Sequence, residues 1–166
     1  MGGVILSSEK NIRSMFDDAG ELGATLDPHQ AFLILRGMKT YMLRYERQAA
    51  NARTIAEFLR SHESVDRVFF PDDQPNEAHD YGAVISFDLK DKNRSIDPII
   101  DGTRLFHISA SLGSTESLIA PVKYFYGNDL STEELKIAQI DETTVRLSIG
   151  IEDAQDLITD LRQALD

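Results

Sequence analysis

The sequence predicts an α+β fold: a mostly antiparallel four-stranded sheet covered on one face by helices and preceded by a long N-terminal helix. Three observations carry this reading. Apolar residues recur at helical spacing through residues 1–60, the period changes to two beyond Ser61, and an amphipathic stretch closes the chain. The 166 residues suffice for one substantial core. They divide at the change of period into a helical segment, 1–60, and an α+β segment, 61–166.

Each element has its own signal. Ser7 and Ser8 offer caps before Ile12, Met15 and Phe16, which follow i, i+3, i+4 spacing, and Gly20 and Gly23 then interrupt. Asp27 and Pro28 restart a helix, with aspartate as cap and proline in the first helical position. From residue 28 to about 59 a single stripe runs through Leu35, Met38, Met42, Tyr45, Ala49, Ala52, Ile55, Ala56 and Leu59. Gly37 within it is expected to bend or weaken the helix, since glycine there costs about 1 kcal/mol against alanine. Residues 65–70 form a strand ended by Pro71, and residues 72–80 a polar loop. Residues 81–89 alternate Tyr81, Ala83, Ile85, Phe87 and Leu89 on one face. Residues 94–100 make a short helix at best, because Pro98 opposes a long one. Residues 104–111 and 143–151 are the third and fourth strands, the latter turning Val145, Leu147, Ile149 and Ile151 inward. In residues 153–165 the buried stripe is Ala154, Leu157, Ile158, Leu161 and Leu165.

Composition narrows the partners. The net charge of −11 repels phosphate backbones, so neither nucleic acid nor an anionic membrane is expected. No apolar run approaches the roughly 20 residues that span a bilayer. The apolar start at residues 1–6 turns polar at Ser7, unlike a signal peptide. The absence of cysteine removes disulfide and thiol chemistry and fits a cytoplasmic location.

Two places have the residue types for binding. Arg146 lies opposite the apolar stripe of the last strand, beside Ser148, and an arginine there offers a carboxylate a rigid fork of donors. By pattern alone it is a solvated arginine on an open sheet face. The stretch Ser109-Ala-Ser-Leu-Gly-Ser-Thr-Glu-Ser-Leu118 combines a permissive Gly113 with the capping residues Ser114 and Thr115. By pattern it is a strand-to-helix turn, whose backbone N–H groups could also receive an anion. The four histidines, 29, 62, 79 and 107, have no metal-ligand spacing, and His107 is expected to be packed or hydrogen-bonded. Neither the acidic pair at 72–73 nor that at 133–134 signals more than solvated charge. No nucleophile–base pairing follows from spacing.

Four motifs in order carry a resemblance: Phe32-Leu-Ile-Leu-Arg-Gly-Met-Lys-Thr40; Arg44 with Asn51-Ala-Arg-Thr-Ile-Ala56; Ser111-Leu-Gly-Ser-Thr-Glu-Ser-Leu118; and Val145-Arg-Leu-Ser-Ile-Gly-Ile-Glu-Asp153. Together, from residue 2 to 165, they resemble the C-terminal part of the Cys/Met-metabolism pyridoxal-phosphate enzymes of fold type I. These include cystathionine γ-synthases, cystathionine β- and γ-lyases, methionine γ-lyases and O-acylhomoserine sulfhydrylases. The resemblance implies β- or γ-elimination, or γ-replacement, on cystathionine, methionine or an O-acylated homoserine. It implies pyridoxal 5'-phosphate in the complete enzyme, a cytoplasmic homotetramer. A lysine of a large domain would hold the cofactor, just upstream of a Gly-Gly-Val segment that Gly2, Gly3 and Val4 match. None of lysines 10, 39, 90, 92, 123 and 136 lies in a matching context. The chain is therefore expected to carry no catalytic or cofactor-binding residue and to be inactive without that domain.

By the same resemblance, Arg146 clamps the α-carboxylate of an amino-acid substrate, and Ser111 and Leu112 line its pocket. Ala110 is a specificity position where some members carry glutamate. Ser114 replaces a common glycine, residues 121–128 depart from a frequent Thr-His-Ala pattern, and the 72–80 loop is short. Beside this stands a reading from another class, a stand-alone non-enzymatic α+β module that binds an amino acid or a partner chain. An assembly role through apolar surface on the long helix is a third.

Overall fold

The computed structural model describes residues 2–23, 25–71, 82–127 and 129–166. The polar loop expected at 72–80, and Tyr81, lie outside the described residues. The chain forms two compact units, Met1–Leu43 and Arg44–Asp166.

The first unit contains two helices built from the expected caps. α1, Glu9–Leu22, starts where the Ser8 side chain accepts from the Asn11 N–H, and it ends at Gly23, whose φ of 71° is left-handed. α2, Pro28–Met38, is capped by Asp27, which accepts from the His29 and Gln30 N–H groups. The single helix expected from residue 28 to 59 is in fact two. Just after Gly37 the ladder tightens into a turn, Lys39 N–H to Arg36 and Thr40 N–H to Gly37, before α3 begins at Tyr41. The expected stripe divides there as well. Leu35, Met38 and Met42 are exposed, whereas Ala49, Ala52, Ile55, Ala56 and Leu59 are fully buried.

The second unit holds most of α3, Tyr41–Ser61, and a five-stranded sheet. Its strands are β1, Val65–Phe69; β2, Val84–Leu89; β3, His107–Ile108; β4, Leu118–Pro121; and β5, Val145–Ser148. Their spatial order is β1-β2-β5-β4-β3, antiparallel except for the parallel pair β3 and β4. Among the described residues the unit also holds two short helices, α4 (Asp97–Gly102) and α5 (Thr132–Ile137), a π-helical turn at Lys123–Gly127, and α6 (Ala154–Leu165). Ile85, Phe87, Leu89, Ile119, Val145, Leu147 and Ile149 form one core with residues of α3, α4 and α6. At about 25 cal/mol per Å² of apolar area, such side chains supply the main drive to fold.

Four expectations need correction. The sheet has five strands, because Leu118–Pro121 pairs with β5 where a helix was expected. The third strand shrinks to His107–Ile108, since the buried Asp160 carboxylate accepts from the N–H groups of Arg104 and Leu105 at 2.8–2.9 Å. Ile151 is 39% exposed because the chain leaves the sheet before it. His107, on the edge strand, is exposed rather than packed.

Two polar clusters brace the sheet. The fully buried Asp88 carboxylate accepts from Arg67 at 2.5 and 3.0 Å and from the Thr144 hydroxyl at 2.7 Å, with Lys92 at 3.8 Å. Asp141 accepts from the Thr143 N–H and hydroxyl at 2.7 and 2.6 Å and pairs with Lys92 at 2.9 Å. Burial draws the Asp141 carboxyl upward, but the Thr143 hydrogen bonds and Lys92 outweigh it and hold it below the usual aspartate range. A carboxylate depressed by folding stabilises above its unfolded pKa, and that stabilisation is lost as pH falls through the folded value. Asp141→Asn is therefore expected to lower the urea midpoint near neutral pH. The difference from the parent should shrink on acidification below the ordinary aspartate range; a constant gap would contradict it.

Candidate functional site

The site is built on the sheet face opposite the helices. Along β5, Val145 and Leu147 enter the core while Arg146 and Ser148 point the other way, as the period of two predicts. Arg146 lies between Ser86 of β2 and Ala120 of β4 in register, which fixes where its side chain leaves the sheet. Its guanidinium donates to the Ala110 carbonyl at 2.9 Å and the Ser111 carbonyl at 3.4 Å.

Those carbonyls belong to the 109–117 loop, the nine-residue connection between parallel strands β3 and β4. Several bonds shape it. The Ser111 N–H donates to Ser109 Oγ at 3.1 Å, and the Gly113 N–H to Ser148 Oγ at 3.2 Å. Gly113 adopts φ 77°, a left-handed turn that disfavours a side chain. Ser114 donates to the Glu116 carboxylate, holding that carboxyl below its usual range. Gln48 of α3 donates to the Ser114 carbonyl at 2.6 Å.

The far end of the loop is laced to the segment after β5. Ser117, fully buried, donates its N–H to Glu152 Oε1 at 2.6 Å and its hydroxyl to Oε2 at 3.0 Å, and accepts from the Gly150 N–H at 2.9 Å. The Ile151 N–H donates to the Thr115 carbonyl at 2.9 Å. Asn51 of α3 donates to the carbonyls of Gly150 and Glu152 at 3.1 and 2.8 Å. Gly150 is required for space: a Cβ there would run into the Thr115 carbonyl and stand 2.7 Å from the Glu116 carbonyl carbon.

Three of the four expected positions meet here: Arg146 touches Ala110 and Ser111, though through their carbonyls rather than their N–H groups. Leu112 is 64% exposed at the loop tip. Sequence reasoning missed Gln48, Asn51, Ser117 and Glu152 as parts of the site. Gln48 and Asn51 carried a signal: two amides beside the buried stripe of α3 need partners, because an unsatisfied buried amide is costly.

The fold and this corner define an α+β domain with an arginine seated on a polar loop at its sheet. The chain belongs to the Cys/Met metabolism PLP-dependent enzyme family, whose model matches residues 1–166. It is 37% identical to an L-methionine gamma-lyase of Fusobacterium nucleatum over 152 residues, covering 87% of this chain and 38% of that protein. It is 33% identical to a cystathionine gamma-lyase of Bacillus subtilis over 176 residues, covering all of this chain and 46% of that protein. The crystal structure of a cystathionine gamma synthase from Xanthomonas oryzae, in complex with aminoacrylate and cysteine, superposes with a TM-score of 0.84 at 35% identity, over 95% of this chain and 43% of that one. The chain thus spans less than half the length of these relatives. Among the described residues no helix is long and apolar enough to cross a membrane.

The residues at this corner offer no amine for the aldehyde of the family's cofactor. The side chains that meet around Arg146 and the 109–117 loop supply a guanidinium, amides, hydroxyls and carboxylates, and no lysine amine among them could hold an aldehyde. A planar cation beside hydroxyls suits a small oxyanion, a carboxylate among them.

Proposed function

We propose that this chain supplies the substrate-carboxylate half of the active site in a pyridoxal-phosphate enzyme of sulfur amino-acid metabolism. The complete enzyme carries out β- or γ-elimination, or γ-replacement, on cystathionine, methionine or an O-acylated homoserine. The observation that carries this reading is the seating of Arg146 on the loop carbonyls at 2.9 and 3.4 Å. A guanidinium has five N–H donors in one plane, so the same group can serve both the loop and a carboxylate. Family membership and the methionine and cystathionine lyases among its relatives supply the substrate class.

In this reading residues 1–60 lead out of a large domain and residues 61–166 form the small domain beside it. The cofactor, when bound in the complete enzyme, supplies the electron sink for bond cleavage. This chain's residues bind and orient. Arg146 fixes the α-carboxylate, Ser111 and Leu112 border it, and Ala110 leaves room where a larger side chain would select a distal group. Anchoring the carboxylate on a rigid fork restricts rotation about Cα, so its effect is on geometry as well as affinity. The isolated chain is inactive, since the lysine that holds the cofactor belongs to the rest of the enzyme, and the complete protein works in the cytoplasm.

In the complete, cofactor-loaded enzyme, Arg146→Ala should raise KM for the amino acid about 10- to 100-fold, the scale of a lost charge-assisted hydrogen-bond pair. Cofactor absorbance should be retained, and Arg146→Lys should fall between parent and alanine variant because lysine lacks the fork. Unchanged kinetics in Arg146→Ala would remove the residue from the site.

A further inference from the structure

We propose that Asn51 and Glu152 are positioning residues for the carboxylate site, acting through the 109–117 loop on Arg146; this rests on the reading of Arg146 given above. Asn51 is 2% exposed, next to the apolar stripe Ala52, Ile55, Ala56 and Leu59. Packing alone would be served there by an apolar side chain. The amide instead gives its Nδ2 to two carbonyls, those flanking Ile151. Both partners are acceptors, so they fix which end of the amide faces them. The segment after β5 has left the sheet ladder at this point, and Asn51 holds it at two carbonyls two residues apart.

Glu152 carries the constraint onward. Its carboxylate turns back onto the Ser117 N–H and hydroxyl, while Ser117 accepts from the Gly150 N–H. One end of the loop is thereby pinned to the segment that Asn51 holds. The other end leaves β3 at Ile108, and between them the Gly113 N–H is tied to Ser148. Between Gly113 and Ser117 the Ser114 and Thr115 carbonyls are held by Gln48 and by the Ile151 N–H, and the arc of residues 110–112 carries the two carbonyls that receive Arg146. Thr115 is held through the Ile151 N–H, on the same segment, so freeing that segment from Asn51 or from Ser117 loosens residues 115–117 together, and the displacement passes through Ser114 and Gly113 to the arc that seats the guanidinium. A binding group held by such an outer shell loses function when the shell moves by about 1 Å.

The test uses Asn51→Asp, which puts a carboxylate against two carbonyls, and Glu152→Ala, which removes both acceptors for Ser117. Glu152→Gln keeps one acceptor oxygen in the same volume. In the complete, cofactor-loaded enzyme, Asn51→Asp and Glu152→Ala are expected to raise KM about 10-fold with kcat changed less than about 2-fold, and Glu152→Gln is expected to recover part of the loss. Independently of activity, hydrogen exchange at the Ser117, Gly150 and Ile151 amides should quicken about 10-fold in the first two variants, while Ile85 and Phe87 stay protected. Faster loop exchange with unchanged KM would overturn the proposal, leaving the cluster a fastener of the fold only. Unchanged loop exchange would overturn it as well. If Asn51→Asp or Glu152→Ala does not fold, Glu152→Gln decides by the same two readouts. Arg146→Ala, run alongside, separates the failures: if it leaves KM unchanged, the reading of Arg146 fails. If it raises KM while these variants do not, the positioning role alone is wrong.

Discussion

Gly150→Ala is expected to destabilise the protein by about 3 kcal/mol, in the upper part of the range for overpacking a filled site. The added methyl group would press on the Thr115 carbonyl and the Glu116 carbonyl carbon, both main-chain atoms, and on the Glu152 carboxylate. A flexible side chain could swing aside, but here the loop must move. That movement strains the Gly150 N–H bond to Ser117 and the Ile151 N–H bond to Thr115 together. At this chain length the loss corresponds to a fall in melting temperature of roughly 6–12 °C. Gly113→Ala is the control: nothing lies within 4 Å of a Cβ there, so only the left-handed backbone at φ 77° resists it. Its effect should be smaller, about 1 kcal/mol. Equal losses at the two glycines would show that conformational strain, and not contact, governs Gly150.

Arg67→Met is expected to lower stability by about 2–4 kcal/mol, measured by urea unfolding at neutral pH. Removing one partner of a buried pair leaves an uncompensated charge and costs roughly 3–5 kcal/mol. The loss is moderated here because Lys92 at 3.8 Å and the Thr144 hydroxyl still face Asp88. Arg67 itself is 44% exposed, so its own desolvation contributes little, and the effect resides in Asp88 at 0%. The double variant Arg67→Met with Asp88→Leu should regain much of the loss, since a well-packed apolar pair often replaces a buried ion pair at no net cost. Additive losses in the double variant would refute this account.

Much of the fold was legible in the residues. Ser8 and Asp27 cap the helices they precede, and the alternations around Phe87 and Leu147 mark the core face of the sheet. Arg146 could be placed on the opposite face by counting along one strand. β4 could not be found that way. Leu118, Ile119 and Ala120 are all buried, so the strand presents a continuous apolar run without alternation. Ser114, Thr115, Glu116 and Ser117 read as a helix start because capping residues are chosen for their side-chain oxygens. Ser114 Oγ does accept from the Glu116 N–H at 3.4 Å, but Ser117 Oγ accepts from Gly150, across the sheet's end rather than along a helix. The bonds that complete the corner join residues 51 and 150, 117 and 152, or 48 and 114. Such pairings over long sequence separations leave no local period. Only the polarity of Gln48 and Asn51 beside an apolar stripe hinted at them.

The placement of β5 has a consequence for synthesis. It is the last in sequence of the strands among the described residues, yet it stands in the middle of the sheet, between β2 and β4. Until it emerges from the ribosome, β2 and β4 each present an unpaired edge of the kind that recruits other chains. The strand that closes this gap is also the one that brings Arg146 to its loop. Completion of the sheet and seating of Arg146 on its loop are therefore a single event. A chain cut short before residue 145 gains neither.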